Sequence, residues 1–111
     1  MTGTHWINDA GYFLGPVCIT NTHGVGAVQS AATRWMIDRY ADYFAANHAW
    51  AMPVVAETYD GVLNDINAMF VEPQHAREAL DSALAQDYPR LEILVSDNGA
   101  TDATAAIIQG L

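Results

Sequence analysis

Apolar residues fall in two kinds of pattern along this chain, short unbroken runs and longer helical repeats. Three short apolar runs predict buried strands, at residues 17–20, 53–57 and 91–95. In two longer segments apolar residues recur at three- and four-residue steps, which predicts helices over 27–47 and from about Pro73 to Asp87. A last helix is expected to begin at Thr101 or Asp102. This alternation of strands and helices predicts an α/β fold.

The same repeats define the faces that the helices should bury. The first helix is expected to bury Val28, Ala31, Ala32, Trp35, Met36, Tyr40, Tyr43 and Ala46. The second should bury Ala76, Ala79, Leu80, Ala83 and Leu84. Arg34 and Asp38 are four residues apart, a spacing at which they can pair. Residues 1–16 are expected to form a loop with a short strand, and turns are predicted at 21–26 and 96–100.

Composition limits the classes of protein to which the chain can belong. It has 111 residues, 51% of them hydrophobic, which fits one small domain with a core. Thirteen acidic residues stand against four arginines and no lysine, giving a formal net charge of −9. Such a balance argues against binding to nucleic acid or to an anionic membrane surface. No apolar stretch is long enough to span a membrane, and the N-terminus lacks signal-peptide features, so we expect a cytoplasmic protein.

Each single residue that could act in catalysis or metal binding also has an ordinary structural interpretation. Cys18 is the only cysteine, which excludes a disulfide within the chain, and its apolar surroundings predict a buried, inert thiol. No two of the four histidines have helical metal-ligand spacing. His23 lies beside a glycine turn, where it could act as a base or be an ordinary loop histidine. Ser30 and Ser82 lie on predicted helices and outside any nucleophile elbow.

The turn Gly24-Val25-Gly26 lies between a strand and a helix, the position of a dinucleotide-binding turn. Gln29 stands where the third glycine of that motif would be, so the alternative is a tight turn that requires small residues. Both interpretations remain open at this stage.

A denser polar cluster, residues 57–67, follows the second predicted strand. It contains a phenol, two amides and several carboxylates, and tyrosine and asparagine can donate hydrogen bonds to a developing oxyanion. The alternative is a turn whose Asx side chains bond their own backbone. Asp97, after the third strand, could bind a ribose, a base edge or a metal-bound phosphate, or could simply form a turn.

Three separated segments resemble the L-aminopeptidase/D-esterase family, which includes the β-peptidyl aminopeptidases. They are residues 1–6 (MTGTHW), 19–26 (ITNTHGVG) and 53–67 (PVVAETYDGVLNDIN), and the resemblance covers about residues 1–80. It implies part of an αββα sandwich like that of N-terminal-nucleophile hydrolases. It also implies a self-cleaving serine enzyme that releases N-terminal residues from peptides, amides or esters without a metal. By this resemblance, Tyr59 is expected to lie near the nucleophile, and Asn64 and Asn67 are expected to contact the substrate.

The resemblance is incomplete, because the family's cleavage site and nucleophilic serine have no counterpart here. We therefore expect a fragment that is inactive alone, since no activated nucleophile is present. A peptide or amino-acid amide would be its substrate if the missing segment were supplied. We expect no cofactor and no metal, and self-association through sheet edges that lack their partners.

The tail, residues 77–102, resembles the early part of family 2 glycosyltransferases, which use a nucleotide-sugar-binding α/β fold. Asp97 would then inherit a nucleotide-binding role, although that family's first strand, metal-binding acids and catalytic base are absent. We accordingly divide the chain into a partial aminopeptidase domain, 1–80, and a partial glycosyltransferase-like β-turn-α segment, 81–111. The alternatives to a peptidase fragment are a glycosyltransferase remnant and a non-catalytic acidic α/β module.

Overall fold

The computed structural model describes residues 4–87 and, for the backbone alone, residues 95–97. The predicted helix after Thr101 lies outside the described residues, as do most of the predicted third strand and the end of the turn at 96–100. No helix in the described part of the chain is long and apolar enough to cross a membrane.

A three-stranded parallel sheet organises the fold. Its strands are β1 (Val17–Asn21), β2 (Val54–Thr58) and β3 (Val95–Asp97), in the order β2-β1-β3. The predictions of the first two strands are confirmed to within a residue. Ser96 and Asp97 were expected in a turn, but they continue a strand because they pair with Ile19 and Thr20 of β1. The α/β class is confirmed.

Within residues 4–87, four α-helices accompany the sheet: α1 (Thr4–Ala10), α2 (Val25–Arg39), α3 (Ala41–Asn47) and α4 (Pro73–Leu84). The prediction of a loop with a short strand over residues 1–16 is wrong, because α1 occupies part of it. No residue of α1 is buried, so its sequence has no apolar repeat from which to predict a helix. Trp6 of α1 instead makes edge contacts with the rings of Tyr12 and Trp50, at centroid distances of 6.0 and 5.6 Å.

The single helix predicted over 27–47 is also corrected, since it divides at Tyr40. That residue has φ −119° and ψ 34°, outside the helical region. Beyond it the expected burial fails, because Tyr40, Tyr43 and Ala46 are exposed. The apolar repeat continues through this point although the helix does not, so periodicity could not locate the break.

The core lies between the sheet and the face shared by α2 and α4. Cys18 of β1 and Val55 of β2 are neighbours in the sheet and contribute to the core from its inner face. The helices and the segment before α4 contribute Val28, Ala31, Ala32, Trp35, Met36, Val71, Ala76 and Leu80. The buried thiol of Cys18 is confirmed, and burial raises its pKa, which keeps it protonated and unreactive at neutral pH.

Two polar contacts join α2 to α4 at the edge of this core. The indole Nε1–H of Trp35 donates to Asp81 Oδ1 at 2.7 Å. Arg77 pairs with Asp38 at 3.1 Å between exposed side chains. Asp38 therefore pairs with a residue of another helix and not with Arg34, the partner that local spacing predicted. Exposed ion pairs contribute little to stability, so the indole bond is the more important contact.

The opposite face of the sheet is apolar and partly open. Side chains alternate along a strand, so Val17, Ile19 and Ala56 fall on the face away from Cys18 and Val55. Val17 is exposed, and Ile19 and Ala56 are half-buried.

The bond between α2 and α4 yields a stability prediction. Asp81→Ala leaves the indole N–H of Trp35, a residue only 7% exposed, without its acceptor. We expect the free energy of unfolding to fall by about 1–3 kcal/mol, measured by urea denaturation of the full chain. Glu78→Ala, which removes an exposed acid from the same helix, is the control and should change it by less than about 0.5 kcal/mol. Equal effects of the two substitutions would contradict the assignment.

Candidate functional site

The carboxyl ends of the three strands meet at one edge of the sheet, which is where α/β proteins commonly bind ligands. The pairing aligns Asn21 with Thr58 and Thr20 with Asp97. The turn after β1 and the loop after β2 therefore begin side by side. The backbone of Asp97 lies at the same edge, one strand away on the other side of β1.

A short 3₁₀ turn, Thr22–Gly24, follows β1 and is fixed firmly to the sheet. The buried side chain of Asn21 accepts a hydrogen bond from the backbone N–H of Gly24 at 2.7 Å. A Cβ on Gly24 would lie 2.6 Å from Thr20 Oγ1 and 3.1 Å from Val71 Cβ. The first glycine of Gly24-Val25-Gly26 is therefore explained by close packing, which favours the tight-turn interpretation over a nucleotide-binding one.

Residues 59–70 form the loop after β2, which we call the Tyr59 loop. Its internal hydrogen bonds are those of an Asx-rich turn. The side-chain amide of Asn64 donates to the Asp60 carboxylate, and the backbone N–H of Asn64 donates to the Asp60 carbonyl at 3.0 Å. Asp65 Oδ1 accepts from the backbone N–H of Asn67 at 3.1 Å, beginning a 3₁₀ helix, Ile66–Ala68. The polar residues thus give the loop a defined shape.

Tyr59 stands at the start of this loop with 72% of its surface exposed. Its ring lies over Gly61, where a Cβ would meet the phenolic oxygen at 2.6 Å and Cζ at 2.7 Å. Among the described residues no group hydrogen-bonds to the Tyr59 hydroxyl, so its O–H is free to donate to a ligand. The glycine at 61 is what allows the ring to fold back over the loop.

An open depression of about 590 Å³ lies between the Tyr59 loop and the turn after β1. Its lining is Tyr59, Gly61, Val62, Leu63, Asn64, Asp65, Ile66 and Asn67 from the loop, with His23 from the turn. The side chains of three of the predicted site residues, Tyr59, Asn64 and Asn67, are brought together here. The side chain of the fourth, Asp97, is not described.

The depression is lined by both hydrogen-bond acceptors and donors. Asn64 already donates to Asp60, which leaves its side-chain oxygen as an acceptor, and Asp65 adds a carboxylate. The Tyr59 hydroxyl and the Asn67 side-chain amide are donors, and they belong to the two residue types from which the sequence predicted hydrogen bonds to an oxyanion. Nothing in the described part of the chain groups three or more His, Cys, Asp and Glu side chains in a way that could hold a metal ion.

His23 also lines the depression, and the sequence left it open whether this residue is a base or an ordinary loop histidine. Its ring Nδ1 lies 3.0 Å from the backbone carbonyl oxygen of Ile66. The signal available in the sequence was its position directly after β1, at the edge where the Tyr59 loop begins. Its acceptor is a backbone carbonyl 43 residues away, and no side-chain pattern shows such a partner.

The chain is similar to known proteins over most of its length. The family model of peptidase family S58 matches residues 1–106. A β-peptidyl aminopeptidase of Sphingosinicella microcystinivorans is 52% identical over 83 residues, which are 75% of this chain and 20% of the relative. A second, from Sphingosinicella xenopeptidilytica, is 37% identical over 82 residues. The chain thus spans about a fifth of the length of these relatives.

A solved structure is similar as well. It is the L-aminopeptidase D-Ala-esterase/amidase of Ochrobactrum anthropi, reported as a new variant of the Ntn-hydrolase fold. The likeness has a TM-score of 0.68 and 62% sequence identity, and it covers 73% of this chain and 23% of that one. Separately, an uncharacterised glycosyltransferase of Rickettsia typhi is 40% identical over 50 residues, 45% of this chain and 16% of that protein.

These findings confirm the resemblance to the aminopeptidases, with a weaker likeness to a glycosyltransferase at the tail. The boundary predicted at residue 80 falls inside α4, and the family match continues beyond it. The division into 1–80 and 81–111 stays a prediction.

The contact between Tyr59 and Gly61 can be tested directly. We expect Gly61→Ala to displace the Tyr59 ring, because the new methyl group would occupy its place. Carbon-13 NMR of labelled tyrosine should show a shift of the Tyr59 ring resonances, with stability changed by less than about 0.5 kcal/mol since the ring is exposed. Gly26→Ala is the matched control, because a Cβ there meets nothing within 4 Å. Unmoved Tyr59 resonances in Gly61→Ala would refute the contact.

Proposed function

Because the chain belongs to peptidase family S58, we propose that it forms the Tyr59-bearing part of a self-processing serine aminopeptidase. Its substrates would be peptides, amides or esters from which an N-terminal residue is released. The observation that carries the proposal is the single depression that holds Tyr59, Asn64 and Asn67 at the carboxyl edge of the sheet. No metal or other cofactor takes part in this chemistry.

Tyr59 would supply a hydrogen bond to the oxyanion that forms when a serine attacks the substrate carbonyl. The free hydroxyl and high exposure of Tyr59 support this role, since a donor must reach the reacting atom without breaking a bond of its own. Asn64 would accept hydrogen bonds from the substrate through its side-chain oxygen. Asn67 uses only its backbone N–H within the loop, so its side-chain amide is available to substrate.

The nucleophile is not among the serines whose surroundings are described. Ser30 and Ser82 lie within α2 and α4, as expected from sequence, and neither lines the depression. We therefore propose that the 111-residue chain by itself has no peptidase activity, and that the attacking serine belongs to another part of the family's fold.

We further propose that the sheet is one layer of an αββα sandwich. The apolar face that carries Val17, Ile19 and Ala56 supports this, because a second sheet packed there would remove it from water. In the isolated chain the same face and the free sheet edges would favour self-association. The cytoplasmic location and the absence of nucleic-acid and membrane partners stay predictions.

The role of Tyr59 can be measured by grafting residues 4–87 in place of the matching segment of the Ochrobactrum aminopeptidase. We expect the graft to release p-nitroaniline from an aminoacyl p-nitroanilide. Tyr59→Phe in the graft should lower kcat by about 10²–10³-fold, the usual effect of losing one oxyanion donor. Tyr12→Phe, at an exposed tyrosine outside the depression, is the control and should leave kcat unchanged.

Two results would overturn the proposal. A folded, self-processed graft with full activity after Tyr59→Phe would remove Tyr59 from the chemistry. Release of p-nitroaniline by the 111-residue chain alone would show that the nucleophile lies within it.

A second candidate, a remnant nucleotide-sugar site of a glycosyltransferase, is favoured by the 40% identity to the Rickettsia protein. Asp97, whose backbone lies at the carboxyl edge, would then contact the nucleotide. On that hypothesis calorimetry should detect UDP binding that Asp97→Ala abolishes and Asp87→Ala does not. Absence of binding at millimolar UDP would reject it.

A further inference from the structure

Within residues 4–87, His23 is the one side chain whose hydrogen bond joins the turn after β1 to the Tyr59 loop. Its Nδ1 is 3.0 Å from the carbonyl oxygen of Ile66. A carbonyl oxygen can only accept, so Nδ1 must carry the hydrogen and donate it. In the neutral ring the proton is therefore on Nδ1, and Nε2 is left as an acceptor.

The backbone turn that carries His23 is rigid. The turn Thr22–Gly24 is held by the buried Asn21 side chain, and packing leaves no room for a Cβ at Gly24. Thr20, directly beneath, is fully buried. The imidazole is therefore presented from a fixed point at the end of β1.

The loop that receives the bond is otherwise fastened mainly to itself. Its side-chain bonds join Asn64 to Asp60 and Asp65 to Asn67, partners only four and two residues apart. Outside the loop its ends are held by the last residue of β2, Thr58, and by the buried Val71. Between those ends Val62 and Leu63 at the tip of the loop are 86% and 85% exposed, so packing does not hold the tip in place.

We propose that His23 is a positioning residue for Tyr59. Its Nδ1–H fastens the Tyr59 loop to the end of β1, and so it fixes where the phenolic hydroxyl stands at the edge of the depression. This inference rests on the proposed oxyanion role of Tyr59. It assigns His23 a role as a donor to backbone, in place of the general base that its position beside the glycine turn suggested.

His75 provides an internal comparison. The backbone N–H of Glu72 donates to His75 Nδ1 at 3.1 Å, so this Nδ1 must be an acceptor without a hydrogen. When neutral, the two histidines therefore hold their protons on opposite ring nitrogens. Nitrogen-15 shifts of the imidazoles in the 111-residue chain distinguish the two forms, and we expect Nδ1–H for His23 and Nε2–H for His75. An Nε2–H form for His23 would overturn the proposal.

Substitution tests the positioning in the same chain. His23→Asn keeps an N–H near the place of Nδ1, whereas His23→Gln puts its amide near that of Nε2, and His23→Ala has no donor. We expect the Tyr59 ring resonances to shift in His23→Ala and His23→Gln and to return toward the original position in His23→Asn. His75→Ala is the control and should leave them unmoved. Unmoved Tyr59 resonances in His23→Ala would overturn the proposal whatever the activity of the graft.

A kinetic cycle in the graft separates an effect through Tyr59 from a direct one. His23→Ala should lower kcat by about 10²-fold, the order that a small misplacement of a catalytic group can cost, with KM changed less. In a Tyr59→Phe background the His23→Ala substitution should lower kcat little further, because the hydroxyl that His23 positions is already absent. Fully multiplicative losses would overturn the proposal. An inactive graft whose Tyr59 resonances respond as expected would refute the peptidase function and leave the fastening of the loop established.

Discussion

The parallel pairing of β1 with β2 is the constraint on which the rest of the structure depends. The register that sets Asn21 opposite Thr58 makes the two strands end together. Strands in a sheet lie about 4.8 Å apart, so the segments that leave them begin within reach of one another. A shift of one residue would turn every side chain of one strand to the other face, taking Cys18 or Val55 out of the core.

Because of this pairing, the turn after β1 and the Tyr59 loop lie side by side and have different roles. The turn after β1 is short and is closed by the buried side chain of Asn21, and it serves as a fixed support. The Tyr59 loop is exposed and shaped by its own Asx bonds, and it supplies most of the lining of the depression. The bond from His23 to the Ile66 carbonyl joins them. On our proposal, an exposed loop with a free hydroxyl is thus held at one defined place, as electrostatic stabilisation of a transition state requires.

Sequence predicted the parts of this arrangement that depend on local signals. Strands at Val17 and Val54 appear as apolar runs, and Pro73 marks the start of α4. Tyr59, Asn64 and Asn67 were identified by the resemblance of residues 53–67 to the aminopeptidase family, within a polar cluster that follows a strand. Three features could not be predicted from the sequence, since each is set by contacts with distant residues. They are the break at Tyr40, the surface helix α1 and the partner of Asp38. For the same reason the partner of His23 could not be predicted, because it is a backbone carbonyl that carries no sequence signal.

The register of β1 and β2 is therefore the quantity to measure. Inter-strand nuclear Overhauser effects in the labelled 111-residue chain report it directly. The account predicts cross-peaks of a parallel ladder in which Ile19 pairs with Ala56 and Asn21 with Thr58, together with contacts between the His23 ring and Ile66. A ladder displaced by one residue, or an antiparallel one, would separate the turn from the Tyr59 loop and contradict the account.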